Sequence, residues 1–218
     1  MIVLPWRETL RRLPALLLGL YLFGAGIALM VAARLGLGPW DVFHQGVSEL
    51  TGLSIGRVIN IVGLAVVLGF IPLRERVGLG TILNAIVIGV SADLTAGLLP
   101  DLTSLPVRWA AMLGGPVLIA IGSGFYIGAG LGPGPRDGVM TGLARRGVDV
   151  WKARFGIELS VLILGLVLGG SVGFGTIWFV LSIGQLVQFF LNRLSMKPPL
   201  SRPEEDRCPP EPAAAPNE

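Results

Sequence analysis

Two short segments carry most of the residues that could do chemistry in a chain otherwise made largely of apolar side chains. The first is Gly36-Leu37-Gly38-Pro39-Trp40-Asp41, followed by His44, and the second is Gly130-Leu131-Gly132-Pro133-Gly134-Pro135-Arg136-Asp137. Gly36, Gly38 and Pro39, and likewise Gly132 and Pro133, end the helix before them, because proline lacks an amide donor and glycine releases the backbone. A proline then fits the first turn of a new helix. Val42, Phe43, Val47 and Leu50 give the segment after Asp41 an apolar stripe, and the second copy begins a similar helix that runs from Asp137 to Ala144. Broken helices expose unpaired amides at their N-terminal ends, where the dipole favours anions and where transporters place substrate. Asp41 and Asp137 therefore have two readings, as caps of these helices or as ligand-facing groups.

The remaining polar residues sit in or near long apolar runs: Arg57, Asn60, Asn84, Asp93, Arg154, Glu158, Gln185 and Gln188. Ionisable groups at membrane depth need a partner or a wet cavity. Arg57 and Asp93 lie at similar depth, one near the start of its run and one near the end of the next, so they are expected to pair. In the second half Arg154 takes the place of Arg57 with a small shift and Gln188 takes that of Asp93; Glu158, one helical turn beyond Arg154, is an alternative counter-charge. Each set reads either as a structural pair near an interface or as a gate or ion site. His44 is the single histidine, with no second His or Cys beside it, so no metal site is expected. GLGP is followed by no GK[ST] and preceded by no strand, and no nucleophile–base set, paired-carboxylate or HExxH pattern occurs. The expectation is a protein without cofactor, metal or enzymatic activity. The lone Cys208 excludes an intrachain disulfide.

The elements that position these residues come from a tandem duplication. Val77 to Gly89, VGLGTILNAIVIG, returns as Val172 to Gly184, VGFGTIWFVLSIG, with 7 of 13 positions identical, and the GLGP segments belong to the same repeat. Apolar residues make up 52% of the chain, charged residues 14%, and mean hydropathy is +0.73, so lipid is the solvent for most of the surface. Six apolar runs are candidate transmembrane helices: Leu13 to Ala33, Val58 to Leu73, Val77 to Leu99, Val107 to Ala129, Ile157 to Ser171 and Phe174 to Leu191. The first is too long for a signal peptide and belongs to the first repeat. Placing successive connections on alternate sides puts 14 basic residues on one side and only Arg34, Arg57 and Arg108 on the other. The richer side is cytoplasmic, which leaves both termini inside and three spans per repeat, so the second copy inserts upside down relative to the first. The expected plan is thus an all-α membrane protein: a cytoplasmic N-terminus over 1–12, one repeat over 13–99, a second over 107–194, and a disordered Pro-rich cytoplasmic tail over 195–218. A pI near 9.6 would suggest nucleic acid only if the charge were clustered, and here topology accounts for its placement. Gly124, Gly128 and Gly132, and Gly165 with Gly169, read as close helix packing.

GLGPWD, GPRDG, Arg154 with Glu158, and the paired VGxGT segments together resemble the YczE/YitT-like family of bacterial integral membrane proteins, over about residues 12 to 194. The resemblance implies a multi-pass inner-membrane protein, described either as a permease or as a protein of unknown function, with no established substrate and no catalytic residues. The Pro-rich tail is extra, and the soluble domain of some YitT-like proteins is missing. Two functions follow as expectations. One is a small secondary transporter or permease for an unknown small solute or ion, with the two GLGP segments meeting between the repeats. The other is a non-transporting accessory protein that scaffolds or modulates another enzyme or membrane protein. The lipid bilayer is the expected partner, nucleic acid is not, and a homodimer is left open.

Overall fold

The structure, a computed structural model, describes residues 6–73, 75 and 77–196, the side chains of 141, 144 and 150 aside; among these every regular element is a helix. They are α1 (Trp6–Ala33), α2 (Pro39–Thr51), α3 (Ile55–Leu68), α4 (Phe70–Leu73), α5 (Leu79–Leu98), α6 (Leu105–Ala129), α7 (Pro135–Ala144), α8 (Val150–Val167) and α9 (Phe174–Leu194). Five segments are long and apolar enough to cross a membrane: α1, α3 with α4, α5, α6 and α9. The run expected over Ile157 to Ser171 forms α8 instead, which starts at Val150 and carries Lys152, Arg154 and Glu158 in its first half; it is not among the five. The second run divides at Gly69, and α1 begins at Trp6, so Arg7, Arg11 and Arg12 are helical. The tail from 197, with Cys208, lies outside the described residues.

The core is the antiparallel pair α1 and α6. Without a hydrophobic difference between side chains and lipid, helices associate where small residues let backbones approach. Gly19 faces Gly122 and Gly26 faces Gly115, and a Cβ at Gly19, Gly26 or Gly122 would collide with the carbonyl opposite. At each end an arginine of one helix satisfies the last carbonyls of the other. Arg108 donates from Nε to Ala33 O (2.8 Å) and from Nη2 to Arg34 O (3.0 Å), and Arg12 Nη1 donates to Ala129 O (3.2 Å). A cation at a helix C-terminus is also favoured by the dipole. Arg12 and Arg108, Ala33 and Ala129, Gly19 and Gly115, and Gly26 and Gly122 are all related by one shift of 96 residues.

The same shift, give or take one residue, governs how the two copies hold each other. The VGxGT start of α5 docks on the second GLGP loop, with Gly80 N donating to Leu131 O (3.0 Å) and Thr81 Oγ1 to Pro133 O (2.7 Å). The VGxGT start of α9 docks on the first loop, with Gly175 N donating to Leu35 O (2.8 Å). Gly36 (φ 112°) and Gly132 (φ 137°) take a conformation that side chains rarely allow, and each abuts the opposing glycine, Gly173 or Gly78. The repeated glycines are thus the two halves of one reciprocal junction. The short helices also cross over: α2 lies on α8 where Gly46 meets Gly165, and α7 lies on α4 where Phe70 fills the space beside Gly138.

Candidate functional site

Because each GLGP loop is pinned by the other copy, the first turns of α2 and α7 arrive at one place. Together with α1, α3, α5, α6, α8 and α9 they line a cavity of about 280 Å³. Its walls are mostly aliphatic and aromatic, and its Asp, Glu, Arg and His side chains gather in the first turns of α2 and α7 and on the first half of α8.

Arg136, in the first turn of α7, is the centre of the polar part. Its guanidinium lies 4.7 Å from the centroid of the Trp40 ring, a cation–π contact, and its closest carboxylate oxygen is Asp41 Oδ1 at 3.9 Å. Asp41 is buried and accepts a hydrogen bond from His44 Nδ1 (3.3 Å), with the proton on that nitrogen. His44 is itself buried, in a helix too short to span a membrane. Burial lowers its pKa from the usual value, the hydrogen bond to Asp41 opposes this, and Arg136 adds to the lowering. The ring is therefore neutral near pH 7. Asp137 accepts from the Tyr126 hydroxyl (3.0 Å), and on α8 Arg154 Nε donates to Glu158 Oε1 (3.0 Å). The two aspartates therefore spend no hydrogen bond on capping their helices. Each stands in the first turn, where the dipole favours its charge, and turns its carboxylate to a side chain.

Of the residues expected from sequence, Gly38, Pro39, Asp41, His44, Arg136, Asp137, Arg154, Glu158 and Gln188 line the cavity. Gly36, Gly132 and Pro133 do not; they form the reciprocal junction beneath it. Arg57, Asn60 and Asp93 lie outside it as well. The expected pairing of Arg57 with Asp93 is not found. Asp93 instead accepts from Ser54 Oγ (2.6 Å) and Gly56 N (2.8 Å), closing the start of α3 onto α5, and Arg57 is exposed. The reason is that unpaired amides at a helix N-terminus compete well for a carboxylate. Glu158 is the counter-charge of Arg154, and Gln188 Nε2 donates to Asn192 Oδ1 (2.9 Å). Asn60 Oδ1 is buried and has no hydrogen-bond partner among the described residues. The sequence marks Trp40 only as part of the GLGPWD segment, gives no sign of Tyr126 as a site residue and shows Asn84 without placing it there; all three line the cavity. Trp40 was visible inside GLGPWD, and Tyr126 as one of only two tyrosines. Among the described residues no group of three His, Cys, Asp or Glu side chains could hold a metal ion.

Apolar helices around a small, mostly apolar cavity with a charged cluster at one place define a multi-pass helical membrane protein. The chain matches the model of a family described as "Family of unknown function (DUF6198)" over residues 10–192, and it belongs to that family. It is 40% identical over 194 residues to an uncharacterized protein of Haemophilus influenzae, covering 88% of this chain and 89% of that one. It is 36% identical over 177 residues to the uncharacterized membrane protein YczE of Bacillus subtilis, covering 79% and 82%. The resemblance to YczE-like proteins read from the motifs therefore holds. No solved structure matches the chain.

Proposed function

We propose that this protein is a small secondary transporter of the bacterial cytoplasmic membrane, with six spans, both termini cytoplasmic, and two copies inserted in opposite senses around the cavity. α8 is the sixth span: its second half is apolar, and its charged first half faces the cavity and the cytoplasmic side.

A difference between the two copies carries the reading. In the first copy α3 packs along α5, with Gly56 and Asn60 against Gly89 and the Asp93 latch above them. In the second copy α8 packs on α2 and α7 and scarcely touches α9. Gly184, which takes the place of Gly89, has open space around it, and Gln188, which takes the place of Asp93, bonds within its own helix. One sequence plan thus supports two packings. An inverted repeat that alternates access needs this asymmetry: one seam closed while its counterpart is open, and the reverse in the other state. By the distribution of basic residues the closed α3–α5 seam faces outward and the open α8–α9 seam faces the cytoplasm. The unpaired Asn60 oxygen costs the closed seam about 1–3 kcal/mol, which keeps opening within reach.

The test is a disulfide across the open seam. Cysteines replacing Ile157 and Gly184 in a Cys208→Ser background should cross-link, because the other state brings α8 onto α9. With the pair oxidised, a third thiol replacing Val62 in the cavity should lose labelling from the cytoplasmic side and gain it from outside. A pair that never cross-links in folded protein, or a cross-link without effect on labelling from either side, overturns the reading.

A further inference from the structure

We infer that the cavity binds a small zwitterion, a carboxylate and an ammonium group on a short apolar body, of the kind an apolar α-amino acid presents. This rests on the transporter reading and names its substrate class.

A guanidinium carries five N–H donors, and at membrane depth they need acceptors. Among the described residues the Arg136 guanidinium makes no hydrogen bond; the Asp41 oxygen at 3.9 Å is an ion-pair distance, beyond hydrogen-bond reach. The Trp40 ring holds the planar group from one side and offers no acceptor. The Arg136 side chain lines the cavity and keeps 28% of its surface accessible. A planar fork held in place with free donors fits a carboxylate better than any other common group.

Charge decides what else the ligand bears. Around the cavity stand Arg136 and Arg154 against Asp41, Asp137 and Glu158, with His44 neutral, so the lining has one excess negative charge. A simple anion would deepen that excess, and a simple cation would leave the Arg136 fork empty. A zwitterion does neither. Its carboxylate meets Arg136 while its ammonium meets carboxylate oxygens not committed elsewhere. Asp137 uses one oxygen for Tyr126, and Glu158 uses one for Arg154, which leaves a second oxygen on each. The Asn84 amide lines the same space with no hydrogen bond among the described residues. Beyond these groups the walls are apolar, with Ile88, Ile119, Phe179 and Ile183 among them. A volume of about 280 Å³ lies just below the usual range of pockets for drug-sized ligands, which suits a metabolite of amino-acid size.

The experiment is a binding titration on the purified full-length protein in nanodiscs, by calorimetry with thermal shift as a second readout. The probes are the apolar L-amino acids from alanine to tryptophan, each up to 10 mM, with 4-methylpentanoate and isoamylamine as the acid-only and amine-only forms of leucine. At least one amino acid should bind, and the two leucine analogues should bind at least ten-fold more weakly than leucine or not at all. Arg136→Gln and Asp137→Asn should each weaken the best amino acid by ten-fold or more. Comparable binding of 4-methylpentanoate or of isoamylamine makes this an anion or a cation site and overturns the proposal, as does silence from every amino acid. The ligand comparison uses the unmodified protein, so a variant that fails to fold leaves the result decisive. The disulfide test needs no ligand. Alternation without zwitterion binding therefore sinks only this proposal, and binding without alternation sinks only the transporter reading.

Discussion

Replacing Asp93 with alanine should open the outward seam. The Asp93 carboxylate is the main polar tie between the end of α5 and the start of α3, through Ser54 Oγ at 2.6 Å and Gly56 N at 2.8 Å. Hydrogen bonds to a charged group contribute about 1.5–3 kcal/mol each. Ser54 is exposed and Asp93 only half-buried, so the lower value applies to both and the pair stabilises the closed seam by roughly 3 kcal/mol. At about 1.4 kcal/mol per factor of ten, the outward-open population should rise about a hundred-fold. The assay is the rate at which a membrane-impermeant maleimide, added to intact cells, labels a cysteine replacing Val62 in a Cys208→Ser background. Asp93→Ala should speed labelling by ten- to a hundred-fold. Asp93→Asn keeps an acceptor for Gly56 N and should give a smaller rise, and Arg57→Gln should give none, because Arg57 is not the partner of Asp93. Equal labelling in Asp93→Ala and the parent, with protein of normal yield and monodispersity, would refute the reasoning.

The core seam makes a second prediction. Gly26→Leu forces a side chain against Gly115 O and Ile119 and should lower the melting temperature markedly, by the ~1–3 kcal/mol typical of overpacking or more, whereas Gly97→Ala, with open space around it, should not; thermal unfolding in detergent reads both. Thr81→Val removes the hydrogen bond to Pro133 O and should destabilise by about 1 kcal/mol, seen in the same melt, and Thr176→Val should cost less because, among the described residues, the Thr176 hydroxyl accepts only from Gly173 N within its own VGxGT turn. For topology, a cysteine replacing Ser104 should react with impermeant maleimide in intact cells, and one replacing Val148 only after permeabilisation; the opposite pattern inverts the orientation.

Much of this architecture was legible in the residues because the duplication writes each feature twice. The Gly-Pro clusters break helices where expected, and α2 and α7 follow them, each starting at a proline with an aspartate in its first turn. The reciprocal docking of VGxGT on GLGP was not legible, because periodicity describes a helix and says nothing about which loop its first turn will meet. Asp93 misled for a similar reason: its partners include a backbone amide, which every residue but proline carries and no side-chain pattern marks. α8 starts seven residues before the apolar run that marks it, because the charges at Lys152 and Arg154 hide its first turns from a hydropathy pattern, while the helix takes them in and presents Arg154 and Glu158 to the cavity. Tyr126 escaped notice because a hydroxyl on a long apolar helix reads as an interface residue until Asp137 is seen beside it.

The central claim, that the two seams exchange roles, is tested most directly by distances. Spin labels replacing the exposed residues Leu64 on α3 and Val90 on α5 report one seam, and labels replacing Leu159 on α8 and Leu181 on α9 report the other. Measured by pulsed dipolar spectroscopy in nanodiscs, each pair should show two distance populations. Adding Asp93→Ala should lengthen the α3–α5 distance and shorten the α8–α9 distance together. A single unchanging distance in both pairs, with and without Asp93→Ala, would contradict the account.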